Sequence, residues 1–178
     1  MINLSSLDIN NKNLVIRVDM NVPIKDGNIL DSTRIEASLP TIEYALKNNA
    51  KILLISHLGR PIEGEYEESF SLKPVAKYLS KIVNEPCNVI DDLDSKSFFN
   101  KESNIQLLEN IRFFEGEKAN CKDLGAKLAS LGDIYVFDAF GTAHRAHAST
   151  AGITQHVDTC VAGFLMEKEL KFLYGALD

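Results

Sequence analysis

Apolar positions along this chain fall into two kinds of run that alternate. Some stretches are short and almost continuously apolar: Leu14-Val15-Ile16-Arg17-Val18, Lys51 to Ser56 (KILLIS) and Ile134-Tyr135-Val136-Phe137. Others are longer and repeat their apolar residues at helical spacing, as Ile35, Leu39, Ile42 and Leu46 do. A strand covered on both faces needs the first pattern; a helix that buries one face needs the second. The pattern therefore predicts strands over 14–18, 51–56, 87–90, 105–108, 134–137 and 160–164. It predicts helices over 32–47, 72–83, 117–131 and 165–177. Asp31 or Ser32 can cap the first helix by accepting from its free amides. Pro74 is tolerable in the first turn of the second helix, and Gly132 closes the third. Strand and helix in steady alternation argue for an open parallel α/β sheet. The polar, acidic stretch IEGEYEESF (62–70) reads as a surface loop.

Composition narrows the partners. The 178 residues carry a net charge of -6, so there is no overall basic field for nucleic acid. No apolar run approaches the roughly 20 residues that span a bilayer. The N-terminal MINLSSLDINNKN has neither a basic flank nor an apolar signal core, so secretion is not indicated. Cys87, Cys121 and Cys160 are widely spaced and odd in number, which fits reduced thiols in a cytoplasmic protein.

The basic residues change the picture. The lysines are scattered, but the five arginines are not. Arg17 lies within the first strand. Arg34 begins the first helix, after the loop that leaves that strand. Arg60 closes the turn after KILLIS in SHLGRP, Arg112 follows IQLLE in LLENIRFFEGE, and Arg145 follows IYVF. His57, His144 and His147 keep the same company. In open α/β sheets ligands bind outside the carboxyl ends of the strands. Four arginines and up to three histidines thus converge on one edge, and arginine's planar fork matches phosphate and carboxylate oxygens. Asp19 and Asn21, in RVDMNVP, add an acceptor and an amide there, which suits an anion that also carries a hydroxyl. The same two residues also suit a turn-stabilising pair before Pro23.

Taken alone, DAFGTAHRAHAST (138–150) is open to several readings. IYVFDAFGT resembles the nucleophile-aspartate strand of haloacid-dehalogenase-type phosphatases, with Asp138 as nucleophile. Only 40 residues follow it, too few for the later motifs of that chemistry. His144 and His147 could pair on a metal with His57, but Arg145 between them disfavours a cation. A nonenzymatic small-anion-binding module is the third alternative.

The ordered set RVDMNVPIKDGNILDSTRIEASLPTI, SHLGRP, LLENIRFFEGE, DAFGTAHRAHAS and AGFLMEKELKFL resembles the N-terminal domain of the phosphoglycerate kinase family, from about residue 4 onward. That family catalyses the glycolytic transfer of a phosphoryl group between ATP and 3-phosphoglycerate, giving ADP and 1,3-bisphosphoglycerate. The resemblance implies a three-layer α/β/α, Rossmann-like domain over 1–164 with a six-stranded parallel sheet. It also implies the start of an interdomain helix over 165–178. By the motif match His57, Arg60, Arg112 and Arg145 grip the substrate phosphate, and Asp19, Asn21 and Arg34 hold the glycerate end. Leu58, Gly59, His144 and His147 are expected to support them, the two histidines by orienting Arg145 and closing the pocket floor. Arg34 is expected to neutralise the transferring phosphoryl group as the catalytic residue, with no metal held by this chain. Mg-ATP or ADP is implied for a C-terminal nucleotide domain that these residues do not include. No Walker or GxGxxG pattern is present, so the resemblance implies a half that binds and does not turn over alone. Without that partner domain, apolar surface is expected around Phe164, Leu165, Phe172 and Leu173. Where the family usually has Phe, His and Asn, this chain has Met20, Phe114 and Phe137.

Overall fold

The computed structural model describes residues 1–94, 99 and 102–177. Its centre is a seven-stranded sheet in the order β1-β9-β8-β2-β5-β7-β6, formed by Ile2–Asn3 (β1), Asn13–Val18 (β2), Lys51–Ile55 (β5), Cys87–Ile90 (β6), Ile105–Leu108 (β7), Ile134–Asp138 (β8) and Cys160–Ala162 (β9). Every pairing in it is parallel. A small antiparallel hairpin, Ile24–Lys25 (β3) and Asn28–Ile29 (β4), stands apart. Six strands are expected from the sequence and seven form. The extra one is β1, whose two residues pair with Val161 and Ala162 and are too few to leave a periodic signature.

Alternate strand residues feed two cores, as a sheet covered on both faces requires. Leu14, Ile16, Val18, Ile52, Leu54 and Val136 face Ile42 and Ala45 of α2 (Leu39–Lys47) and Val75 and Leu79 of α3 (Lys73–Val83). Val15, Leu53, Ile55, Tyr135 and Phe137 face Leu124 and Leu128 of α4 (Lys122–Ala129). The three-layer arrangement expected from the sequence is present. No helix of the described residues is long and apolar enough to cross a membrane.

The helices depart from the sequence pattern for local reasons. The helix expected over 32–47 is two, α1 (Thr33–Ala37) and α2, with the break at Ser38. Pro40 has no amide to donate back across that break. Asp31, not Ser32, accepts from the Thr33 amide at 2.9 Å. The helix expected from 117 begins only at Lys122, because Gly116 (φ 94°) and Asn120 (φ 54°) hold the intervening chain in a turn. That turn leaves Glu117 fully buried and free to bond elsewhere. The segment 62–70 is mostly irregular, with one short 3-10 turn at 68–70.

The last helix, α5 (Phe164–Gly175), is seated by two buried groups. The Phe164 amide donates to Thr41 Oγ1 at 2.9 Å, and the Met166 amide donates to Asp138 Oδ1 at 3.1 Å. Asp138 is buried on the α2 side of the sheet, and that burial pushes its carboxyl above the ordinary range. A carboxylate so enclosed cannot meet a phosphoester, so the nucleophile reading of Asp138 fails. Its work is to hold the start of α5. Of the apolar residues expected at the surface, Phe172 and Leu173 are exposed, together with Tyr174 and Leu177. Phe164 instead meets the Tyr44 ring edge-on at 5.0 Å, and Leu165 is half-buried.

Gly163 lies where β9 turns into α5, and a Cβ there would sit 2.3 Å from Asp138 Cγ and Oδ1. Gly163→Ala should therefore destabilise the fold by about 1–3 kcal/mol, the usual cost of overpacking. Urea unfolding checks this, and a change within about 0.5 kcal/mol, the range of a neutral surface substitution, would contradict the packing described.

Candidate anion site at the carboxyl edge of the sheet

The four strands β8, β2, β5 and β7 are consecutive neighbours running the same way. Their carboxyl ends therefore lie side by side. The loop after β2 carries Asp19 and Asn21, and Arg34 follows at the start of α1. The loop after β5 carries His57, Leu58, Gly59 and Arg60. The loop after β7 carries Arg112, and the loop after β8 carries His144, Arg145 and His147.

The loops are tied to one another by hydrogen bonds. Asn21 Oδ1 accepts from the Gly59 amide at 3.0 Å, joining the β2 and β5 loops. Asn110 joins the β5 and β7 loops with both ends of its amide. Its Oδ1 accepts from Leu58 N (3.2 Å) and Arg112 N (3.1 Å), and its Nδ2 donates to Leu58 O (2.7 Å) and Phe70 O (2.9 Å). Gly59 has φ 60°, and a Cβ there would meet the Phe70 ring at 2.4 Å, so the turn admits only glycine. Arg112 Nη1 donates to Gly59 O at 2.6 Å.

Exposure divides the cations into two sets. His57 and Arg112 are buried at the floor, Arg145 is half-buried, and Arg34 and Arg60 are exposed at the rim. Arg34 Nη1 lies 3.4 Å from Asp19 Oδ1 and donates to Asn21 O at 3.1 Å. That exposed pair is weak, so Arg34 can be drawn to a stronger anion. Asp19 also accepts from the Asn21 amide at 3.1 Å. The turn-stabilising reading of these two residues is thus present beside the ligand reading. His147 Nδ1 sits 3.7 Å from Glu117 Oε1, while His144 is exposed.

Three residues of this edge lie outside the set read from the sequence. Arg17, at 1 % exposure, is the largest fully buried side chain. Its Nε donates to Ser149 Oγ at 3.0 Å, Nη1 donates to Val18 O, and Nη2 lies 3.2 Å from His57 Nδ1. Ser149 donates its hydroxyl to Glu117 Oε1 at 2.5 Å and its amide to Glu117 Oε2 at 2.9 Å. An arginine inside an otherwise apolar strand is a signal that a buried polar partner must exist. Nothing in the sequence says that the partner lies at Glu117 and Ser149.

The electrostatics are those of cations crowded together in a partly buried cluster. Burial pushes the His57 imidazole down to about 2, and the charges of Arg17, Arg112, Arg145 and Arg34 push the same way. Burial lowers Arg112 too, with Arg145 and Arg17 repelling it. Burial raises Glu117, opposed by its bonds to Ser149 and by Arg17. A cluster of cations that depress one another in this way is relieved when an anion arrives.

An open parallel α/β domain with arginines gathered across four adjacent strand ends is therefore the class of protein defined here. Residues 4–178 match the family model described as phosphoglycerate kinase. The chain belongs to the phosphoglycerate kinase family. It is 48% identical over 175 residues to the phosphoglycerate kinase of Francisella tularensis subsp. novicida (strain U112), covering 98% of this chain and 44% of that protein. It is 51% identical over 178 residues to that of Thermosipho africanus (strain TCF52B), covering 97% and 44%. Among solved structures, phosphoglycerate kinase from Coxiella burnetii superposes with a TM-score of 0.91 at 43% identity, covering 98% of this chain and 44% of that one. The enzyme from Pyrococcus horikoshii OT3 gives 0.86 at 33% identity, covering 99% and 45%. The chain spans less than half the length of the relatives it matches.

His57 makes stability depend on pH with a definite sign. An unfolded histidine takes a proton near pH 6.5, but the folded one refuses it until about 2. Between those values the unfolded state binds more protons, so His57 lowers stability as pH falls. The slope is at most about 1.4 kcal/mol per pH unit. The stability of His57→Gln, followed by urea unfolding from pH 7 to 4, should fall less steeply than that of the parent. Equal slopes would show that His57 protonates freely in the folded state.

Proposed function

We propose that this domain is the 3-phosphoglycerate-binding part of a phosphoglycerate kinase, acting in phosphoryl transfer between ATP and the substrate carboxylate. The observation that carries the reading is the convergence of Arg34, Arg60, Arg112, Arg145 and a neutral His57 on four adjacent strand ends. Membership of the family supports it.

In this reading Arg112, Arg145, Arg60 and His57 hold the phosphate of the substrate. The guanidinium groups supply paired donors, and His57 supplies a neutral one. Asp19 accepts from the substrate hydroxyl, and Asn21 lies beside it. Arg34 leaves its loose pair with Asp19 to meet the carboxylate and the incoming phosphoryl group. The acceptor is a carboxylate, already ionised at neutral pH, so the step needs no general base. It needs alignment of the reacting oxygens and neutralisation of the charge shared between them. A site made of donors and one hydroxyl acceptor meets that need. Magnesium and ATP are assigned to the part of the family's length that this chain does not span, and the domain there is the expected partner.

Isothermal calorimetry of the chain with 3-phosphoglycerate at low salt should give a Kd on the order of 10 μM to 1 mM, as expected for a small anion on a few strong contacts. Arg145→Ala and Arg34→Ala should each weaken it about tenfold or more. A coupled assay should detect no ATP turnover by the chain alone. Absence of heat and of NMR shifts at Arg60 or Arg145 would sink the substrate reading. Turnover by clean protein would sink the division of labour. Binding of inorganic phosphate as tight as that of 3-phosphoglycerate would favour a general anion module.

A further inference from the structure

Arg17 is buried with no carboxylate in direct contact among the described residues, a costly arrangement for a charge that stays on its group. Three of its five N–H groups are spent, on Ser149 Oγ, Val18 O and His57 Nδ1. The compensating charge is Glu117, also fully buried, one hydroxyl away. Ser149 is the node between them, with every polar atom engaged. Its amide and hydroxyl donate to Glu117, its Oγ accepts from Arg17, and its carbonyl accepts from the Tyr135 hydroxyl at 2.8 Å. A hydroxyl has one proton. With that proton on Glu117, the lone pair of Ser149 must face Arg17, which fixes the guanidinium plane.

The consequence falls on His57. A guanidinium has donors and no acceptor, so Nδ1 of His57, 3.2 Å from Arg17 Nη2, must accept. The ring proton is then on Nε2, which has no protein partner among the described residues.

We propose that Glu117 and Ser149 are positioning residues for the anion site: acting through Arg17, they hold His57 as its Nε2–H tautomer, so that the ligand meets a donor in place of a lone pair. The inference deepens the substrate reading and rests on it for the identity of the ligand. The direction of the chain of bonds decides its effect. Along the path from Glu117 to His57 each donor points toward Glu117 or toward Nδ1, so removing the hydroxyl of Ser149 strands the Nε–H of Arg17 and leaves the guanidinium pinned only at Val18 O, free to tilt away from His57. His57 then loses the partner that fixes its tautomer, and part of the population would present a lone pair to the anion.

The test is nitrogen-15 NMR of the imidazole in the ligand-free 178-residue chain, compared with Ser149→Ala and Ser149→Thr, followed by titration with 3-phosphoglycerate. The parent should give a neutral, single Nε2–H tautomer. Ser149→Ala should show a mixture and bind about tenfold more weakly, the loss of roughly one charge-assisted hydrogen bond. Ser149→Thr, which keeps the hydroxyl, should restore both. A parent spectrum with the proton on Nδ1, or an even mixture, overturns the proposal even if Ser149→Ala does not fold. So does a Ser149→Ala spectrum and affinity equal to the parent's. If the tautomer behaves as described but 3-phosphoglycerate does not bind the parent, the relay stands and the substrate reading falls.

Discussion

A guanidinium inside a parallel sheet dictates much of what surrounds it. Arg17 occupies the next-to-last position of the central strand β2, between Ile55 and Phe137 on its neighbours. A charge there would cost several kcal/mol unless it were surrounded by acceptors. The turn before α4 delivers Glu117, and the segment after β8 delivers Ser149. The loop after β5 turns His57 back over the strand end. All three come from segments far from β2 in sequence, and the two residues that touch Arg17, Ser149 and His57, lie 132 and 40 residues away. The buried arginine thus joins three loops of the site at one point, while Arg34, loosely paired with Asp19, and Arg60 stay exposed at the rim.

The site divides into a rigid floor and an adaptable rim for the same reason. Floor groups are buried, so each must find partners within the protein. Asn110 uses both ends of its amide, and Ser149 uses every polar atom. Rim groups can be served by water and are bound weakly. In the function proposed above, such an arrangement gives a small anion a preorganised seat and leaves Arg34 able to move.

The opposite side of the same strand end has a different task. Asp138 ends β8, the strand that pairs with Arg17's own, but points into the other core, where it holds the amide of Met166 at the start of α5. Alternation of side chains along β8 separates the two roles. Phe137, facing the α4 side, packs near the anion site, while Asp138 anchors the helix that leaves the sheet. One strand therefore couples the pocket wall to the seat of α5.

Much of this was legible in the sequence. Short continuous apolar runs such as LVIRV and KILLI, rich in β-branched residues, fit strands covered on both faces. The placing of four arginines after strands put them at one edge of the sheet, since parallel strands put all carboxyl ends together. What the sequence could not specify were features that depend on one neighbour in space. The two residues of β1 form a strand only because Val161 and Ala162 offer an edge. Glu117 leaves the helical pattern because the turn between Gly116 and Asn120 carries it inward, where it meets Ser149. Asp138, Arg17 and Ser149 read locally as a turn residue, a strand residue and a loop residue. Their partners are set by the register of β2 against β5 and β8. Hydrophobic periodicity is a property of consecutive residues and can be read from them. The pairing of buried polar atoms is a property of chains brought together, and only the tertiary structure decides it.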